Sequence, residues 1–137
     1  MRIGRTLPPA AAPISKSGFL KGFQGIRRGR HEIESFRADL KDFFKVEHCF
    51  LLSSGKAALT VILRALKALS PERDEVLIPA FSCYSVPSAV VRAGLKIRLA
   101  DMDPHTLDYD FDTLDTRLKG KDRLLAAVSI HLFGLPA

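Results

Sequence analysis

Residues 75–100 read EVLIPAFSCYSVPSAVVRAGLKIRLA, and this stretch decides the fold. Its composition predicts three elements in order: a strand over Glu75–Pro79, a helix over Ser82–Ala93 and a strand over Leu95–Ala100. The helix tolerates Pro87 only in its first turn, and Gly94 is a suitable stop after its last residue. This order of elements indicates parallel strands joined by a crossover helix.

The segments on either side of this unit continue the alternation of helices and strands. Apolar residues at spacings of three and four predict an amphipathic helix over 31–45, and a well-buried helix is predicted over 56–69. The remaining predicted elements are strands over Val46–Leu52 and Leu124–Ile130 and a short helix over Asp112–Lys119. The order predicts an α/β fold with three layers and a largely parallel sheet around one hydrophobic core.

The formal net charge of +6 is concentrated at the start of the chain. Residues 1–30 contain seven basic side chains and no acidic one, whereas residues 31–137 are close to neutral. Three prolines and five glycines predict a basic N-terminal arm over 1–30, and not a long helix. Because the arm lacks a nucleic-acid motif and aromatic platforms for bases, we expect no nucleic-acid partner.

Cysteine content and apolar runs indicate the compartment. Cys49 and Cys83 are too few and too far apart for a metal knuckle or a C-x-x-C redox pair, so we expect no metal site. The N-terminal region has no continuous apolar core of the kind that a secretory signal needs, and no apolar run is long enough to cross a membrane. We therefore expect a reduced, cytoplasmic protein without membrane contact.

Three segments are predicted to meet where ligands gather in parallel sheets, at the carboxyl ends of the strands. They are Ser53–Lys56, Pro79–Tyr84 and His131–Gly134. The first combines a glycine turn with a helix N-terminus, which suits an anionic group. It is not a nucleotide-binding P-loop, because Phe50 and Ala57 stand where that motif requires Gly and Ser or Thr.

Two stretches of sequence that include these segments resemble a known protein family. HCFLLSSGKAALTVILRALKALSPERDEVLIPAFSCYSVPSAVVRAGLKIRLADMDPHTLDYD over 48–110, followed by VSIHLFGLPA over 128–137, resembles the DegT/DnrJ/StrS family of pyridoxal-phosphate-dependent sugar aminotransferases. That family has a Ser-Gly-Thr-x-Ala-Leu turn, a Gly-Asp-Glu-Val-Ile-x-Pro strand, an Asp-x-Asp segment and a Val-His-Leu-Tyr-Gly segment. Their order and spacing match here over roughly 45–137.

The resemblance implies a fold-type-I enzyme that transfers an amino group from an amino acid to a nucleotide-linked keto sugar and works as a homodimer. It implies that Gly55, Lys56 and Ala57 bind the phosphate of pyridoxal 5'-phosphate, with Lys56 replacing the usual Thr. It also implies that the 79–84 loop covers the cofactor ring, with either Cys83 or Tyr84 facing it. The resemblance does not distinguish this enzyme from a dehydratase with the same scaffold or from a relative that acts on small amino acids.

The resemblance also implies what residues 31–137 represent: the N-terminal part of the cofactor-binding large domain. The family's Schiff-base lysine and the aspartate that pairs with the pyridinium nitrogen follow the Val-His-Leu-Tyr-Gly segment. We therefore expect both to lie beyond Ala137, no catalytic residue within the chain, weak or absent cofactor binding and no activity of the chain alone. The alternative is a non-catalytic α/β module that binds anionic ligands or a protein partner through its basic arm.

Five further positions receive expectations of their own. We expect Phe81 to lie in the core, and Asp101 and Asp103 to cap a turn and not to form a metal pair. His131 and Phe133 follow the last predicted strand and are candidates for lining the pocket.

Overall fold

The computed structural model describes residues 15–118 and 121–132. Contacts divide the chain into two compact units, Met1–Leu51 and Leu52–Ala137. Residues 1–14, which make up about half of the predicted arm, lie outside the described residues, as do the last residues from Phe133. None of the described helices is long and apolar enough to span a membrane.

The first unit contains one long helix, α1 (Lys16–Phe44). The prediction that glycines prevent a long helix before residue 31 is therefore wrong, and the predicted boundary between residues 30 and 31 falls inside α1. All three prolines of this region precede Ser15, which caps the helix by accepting a hydrogen bond from the Gly18 N–H at 3.0 Å. Each helical glycine costs only about 1 kcal/mol relative to alanine, which the hydrogen bonds of a continuous helix offset. The predicted helix over 31–45 is confirmed as the second half of α1.

The segment that follows α1 is not a strand, so the prediction for Val46–Leu52 is wrong. Residues 46–54 form no regular element, and the Phe50 side chain is 83% exposed. The prediction rested on apolar content, but a strand exists only through hydrogen bonds to a neighbouring strand.

The second unit contains a parallel sheet of three strands in the order β2-β1-β3. The strands are β1 (Glu75–Pro79), β2 (Lys96–Ala100) and β3 (Leu124–Ala127). The helices are α2 (Gly55–Leu69), α3 (Ser85–Arg92) and α4 (Phe111–Arg117), and a short 3-10 turn spans Lys121–Arg123. In the register, Val76 pairs with Ile97 and with Ala126 on either side. The predicted elements of this unit are confirmed, although α3 begins three residues later and β3 ends three residues earlier than predicted.

Two hydrophobic clusters lie on opposite faces of β1. Val76 and Ile78 face one side and pack with Leu63 of α2 and Val90 of α3. Leu77 faces the other side, where it packs with Tyr109 and with partly buried leucines in and after α4. This alternation follows from the two-residue period of a strand. It confirms the three-layer α/β arrangement with a parallel sheet.

Pro87 and Gly94 lie at the two ends of α3, as the sequence predicts. Pro87 lies in the first turn, where its missing N–H has no intrahelical partner to lose. Gly94 adopts φ +79 directly after the C-cap residue, and its N–H donates to the Val91 carbonyl at 2.9 Å. A left-handed backbone favours glycine at this position, so the predicted stop is confirmed.

Helix α2 is less buried than predicted. Only Thr60 and Leu63 are buried, whereas Ile62 is 55% exposed and Leu69 is 81% exposed. A helix in an outer layer buries one stripe regardless of how apolar its other sides are. The prediction of a well-buried α2 is therefore wrong for the part of the chain that the structure describes.

Asp74 connects the amino ends of all three strands. Its carboxylate forms a two-pronged ion pair with Arg123, just before β3, and lies 3.3 Å from Nζ of Lys96 in β2. Its backbone N–H donates to the Arg123 carbonyl at 3.0 Å, and its carbonyl accepts from the Lys96 N–H at 2.8 Å. The hydrogen bond from Arg123 is the main reason that the pKa of Asp74 falls from 3.8 to about 2, and Lys96 lowers it further.

Truncation of the α2 core residue tests the packing of this layer. Leu63 is 1% exposed, so Leu63→Ala should lower the free energy of unfolding by about 2–5 kcal/mol through lost burial and a residual cavity. Ile62→Ala on the same helix is the matched control and should cost less than about 1 kcal/mol. Urea denaturation followed by circular dichroism measures both, and equal losses would contradict the described packing.

The Asp74 ion pairs predict a specific acid sensitivity. Because the folded pKa lies below the unfolded one, the carboxylate stabilises the fold above about pH 4, and this contribution disappears as the pH falls towards 2. Asp74→Asn should therefore be less stable than the parent chain at pH 6, with the difference vanishing near pH 2. Asp39→Asn, an exposed carboxylate on α1, is the control. A difference that persists unchanged down to pH 2 would contradict the ionic origin.

Candidate functional site

The start of α2 is an open helix N-terminus. Ser54 is its N-cap, and the Ser54 Oγ accepts a hydrogen bond from the Ala57 N–H at 3.2 Å. Gly55 and Lys56 occupy the first turn, where backbone N–H groups have no intrahelical partner. No acidic residue lies in that turn, and a Cβ built on Gly55 would meet no atom within 4 Å. The turn therefore combines free donors, a favourable dipole and open space, which is what an anionic group requires.

The loop between β1 and α3 carries two exposed candidate side chains. Tyr84 is 83% exposed at the N-cap position of α3 and makes no capping hydrogen bond with its side chain. Cys83 is exposed, and its Sγ accepts a hydrogen bond from the Ser85 Oγ at 3.1 Å. That hydrogen bond, with one from the Ser85 backbone, lowers the pKa of the Cys83 thiol. Phe81 is 64% exposed, so the expectation that it lies in the core is wrong: it follows the end of the strand, and the described residues leave most of its ring open to solvent.

Contacts between α2 and α3 bring these two segments to one edge of the sheet. The Thr60 Oγ1 donates to the Lys56 carbonyl at 2.9 Å and lies 3.4 Å from the Ala89 carbonyl. One turn later, the Arg64 Nη2 donates to the Arg92 carbonyl at 2.8 Å. Later residues of α2 thus meet later residues of α3, so the helices run in the same direction. Their N-termini lie together at the carboxyl end of β1.

The third predicted segment is described only in part. His131 is exposed beyond the end of β3, while the Val128 N–H still donates to the Leu77 carbonyl at 2.9 Å. Phe133 lies outside the described residues. The structure therefore places His131 at the carboxyl edge of the sheet without assigning it a contact to the candidate site.

The acidic loop after β2 forms turns. The Asp103 Oδ1 accepts from the His105 N–H at 2.7 Å, which confirms the predicted turn cap, and the Asp101 carbonyl accepts from the Asp110 N–H at 3.0 Å. Tyr109 anchors the loop through a 2.6 Å hydrogen bond from its hydroxyl to the Val128 carbonyl, and burial raises its pKa to about 12. Within residues 15–118 and 121–132, no group of three or more His, Cys, Asp and Glu side chains is arranged to hold a metal ion.

A basic cavity beside α2 was not predicted from the sequence. Its volume is about 260 Å³, and its lining includes Lys56, Arg64 and Arg92. Lys56, Thr60 and Arg64 recur at intervals of four residues, which places them on one face of a helix. That spacing is a signal in the sequence, but the contribution of Arg92 depends on the packing of α3 against α2.

Comparison with known proteins finds the family that the motifs resemble. The model of the DegT/DnrJ/EryC1/StrS aminotransferase family matches residues 19–137. A GDP-4-keto-6-deoxy-D-mannose 3-dehydratase of Yersinia pseudotuberculosis is 28% identical over 102 residues, which are 72% of this chain and 26% of that protein. An L-glutamine:2-deoxy-scyllo-inosose aminotransferase of Streptomyces kanamyceticus is 31% identical over 114 residues, which are 82% of this chain and 26% of that protein.

A solved structure shares the fold. The crystal structure of a DegT DnrJ EryC1 StrS aminotransferase from Brucella abortus superposes with a TM-score of 0.63 at 19% identity, over 93% of this chain and 39% of that one. The chain spans about a quarter of the length of the two curated relatives named above. Since the family model covers more than half of the chain, the protein belongs to the DegT/DnrJ/EryC1/StrS aminotransferase family.

Proposed function

We propose that this chain supplies the N-terminal part of the pyridoxal-phosphate-binding domain of an enzyme that transfers an amino group from an amino acid to a nucleotide-linked keto sugar. The observation that carries the proposal is the pairing of an open, capped helix N-terminus with an exposed tyrosine loop at one edge of a parallel sheet. Family membership supports the reaction class. The homodimer and the cytoplasmic location remain parts of this proposal.

The start of α2 fits the phosphate group. The N–H groups of Gly55 and Lys56 are the donors, and the capping of Ala57 by Ser54 holds the turn in helical geometry. Lys56 stands where the family usually has a threonine. The attraction between the lysine cation and the phosphate dianion compensates for the missing threonine hydroxyl donor. When bound, pyridoxal phosphate supplies the electron sink that amino-group transfer requires.

The β1–α3 loop fits the ring of the cofactor. Tyr84 offers an exposed aromatic face, whereas the Cys83 sulfur already accepts a hydrogen bond from Ser85. We therefore assign the ring contact to Tyr84 and a flanking position to Cys83. An offset stack of two aromatic rings contributes about 0.5–1.5 kcal/mol, which is a modest part of the binding energy.

Affinity of the chain alone should be low. Charge-assisted hydrogen bonds contribute about 1.5–3 kcal/mol each, while association costs about 4–15 kcal/mol in lost motional freedom. Three phosphate contacts and one ring contact therefore leave a dissociation constant in the millimolar range or weaker. Chemical-shift mapping by NMR detects binding of this strength.

Titration of the chain with pyridoxal phosphate tests the site. The backbone amide signals of Gly55, Lys56, Ala57 and Tyr84 should shift together, and pyridoxal without its phosphate should shift Tyr84 alone and more weakly. Shifts centred on other segments, or none at all, would sink the proposal.

A cap variant that introduces a negative charge sharpens this test. Ser54→Asp keeps an N-cap of comparable strength, so the fold should be retained, but its carboxylate repels the phosphate. Binding should weaken about tenfold or more, a change of about 1.4 kcal/mol. Lys67→Ala, in the last turn of the same helix, is the matched control and should bind as the parent chain does.

The chain alone should not catalyse amino transfer. Incubation with pyridoxal phosphate, an amino-acid donor and a nucleotide-linked keto sugar should give no product above the rate of a reaction with cofactor and buffer only. The reason is that the described site contains phosphate and ring contacts but no lysine placed to attach the cofactor aldehyde. Product formed above that background, and lost in Ser54→Asp, would overturn the expectation.

A further inference from the structure

The hydrogen-bond ladder between β1 and β3 is interrupted at Pro79. The Val128 N–H donates to the Leu77 carbonyl at 2.9 Å, the last ladder hydrogen bond between these strands within residues 15–118 and 121–132. In a parallel pair, the Val128 carbonyl should accept the next hydrogen bond from the N–H of the residue two positions after Leu77. That residue is Pro79, which has no N–H. The sheet itself therefore offers the Val128 carbonyl no donor.

The interruption affects only the β3 side of β1. On the β2 side, the Ala80 N–H donates to the Ala100 carbonyl at 2.8 Å, so that ladder continues past Pro79. Proline is normally absent from a central strand because it removes one ladder hydrogen bond. A partly buried carbonyl that loses its ladder partner needs a donor from elsewhere in the fold.

Tyr109 supplies that donor. Its hydroxyl donates to the Val128 carbonyl at 2.6 Å. The residue is only 7% exposed and belongs to the hydrophobic cluster of Leu77 and Ala100, which fixes the direction of the ring. Burial, and secondly the charge of Asp108, raise the pKa of Tyr109 to about 12, so the hydroxyl keeps the proton that it donates.

The loop after β2 holds Tyr109 independently of β3. Met102 and Tyr109 form an antiparallel bridge, and the Asp110 N–H donates to the Asp101 carbonyl at 3.0 Å. The Tyr109 N–H also donates to the Asp108 carboxylate at 2.7 Å. The hydroxyl therefore reaches the end of β3 from a backbone position that the loop itself determines.

We propose that Tyr109 is a positioning residue of the candidate site. Its hydroxyl replaces the N–H that Pro79 lacks and fixes the point at which residues 129–132 leave the sheet. These residues carry His131 to the carboxyl edge, beside the loop between β1 and α3, because β3 is the neighbour of β1. The ligand at that edge rests on the proposed function, whereas the replacement of the missing donor does not.

Removal of the hydroxyl alone tests the hydrogen bond. In Tyr109→Phe, the carbonyl carbon signal of Val128 should move upfield, and its amide hydrogen exchange should become about twofold to tenfold faster. Thr113→Val is the matched control, because it removes a hydroxyl that donates to the Asp110 carbonyl at 3.2 Å in the same part of the chain. The control should leave both Val128 signals unchanged. Unchanged Val128 signals in Tyr109→Phe would overturn the proposal.

Restoring the backbone donor separates the replacement from a general packing effect. Pro79→Ala returns an N–H opposite the Val128 carbonyl, so the hydroxyl is no longer the only available donor. Adding Tyr109→Phe to Pro79→Ala should therefore change Val128 exchange less than adding it to the parent chain, whatever Pro79→Ala does by itself. Equal changes in the two backgrounds would show that Tyr109 does not replace the missing N–H.

Titration with pyridoxal phosphate tests the connection to the site. In the parent chain, the His131 ring signals should shift together with the amide signals of Gly55 and Ala57. In Tyr109→Phe, the Gly55 and Ala57 shifts should persist, while the His131 shift should fall about twofold or more because residues 129–132 are no longer fixed. An equal His131 shift in both chains would overturn the positioning role, which a loss of global stability alone cannot imitate.

The two proposals fail in different ways. If pyridoxal phosphate shifts neither Gly55 nor Ala57 in the parent chain, the proposed function fails. The Val128 carbonyl signal and exchange rate, measured without any ligand, then still decide whether Tyr109 replaces the donor that Pro79 lacks.

Discussion

Strand β1 is paired on both edges and packed on both faces, and the other elements of the second unit are positioned by it. Residues 76–79 are all buried, with β2 on one side and β3 on the other. A strand in this position has no face left for water, so residues 76–79 are all apolar and do not alternate with polar ones. The crossover helix α3 must then lie on one face, which leaves the opposite face to α4.

That constraint also fixes where chemistry can occur. Because β1 leads into the loop at 80–84, the N-terminus of α3 lies at the carboxyl edge of the sheet. The contacts of Thr60 with Ala89 and of Arg64 with Arg92 then align α2 with α3 and bring Gly55 to the same edge. The amino edge is occupied instead by the Asp74 ion pairs, which join the three strands. The amino edge therefore holds the three strands together, and the carboxyl edge is open to ligands.

Sequence patterns were reliable where short-range geometry decides the structure. The β1 boundaries, the first-turn position of Pro87 and the helix stop at Gly94 were predicted because each depends on one or two residues and their own backbone preferences. The patterns failed for Val46–Leu52 and for Phe81, where apolar content was interpreted as burial although burial depends on what another part of the chain provides. The glycines of α1 led to the wrong prediction that no long helix forms before residue 31, because a glycine weakens a helix without ending it.

The sequence by itself determined the order of elements, the capped turn at Ser54 and the family to which its motifs belong, because these depend on residue types at fixed separations along the chain. Only the tertiary structure decided that α2 buries a single stripe, that Tyr84 is open at the edge of the sheet and that Arg92 joins Lys56 and Arg64 around one cavity. Such features depend on the packing of one element against another. The Arg64 guanidinium reaches the Arg92 backbone carbonyl, 28 residues further along the chain, only because two helices align.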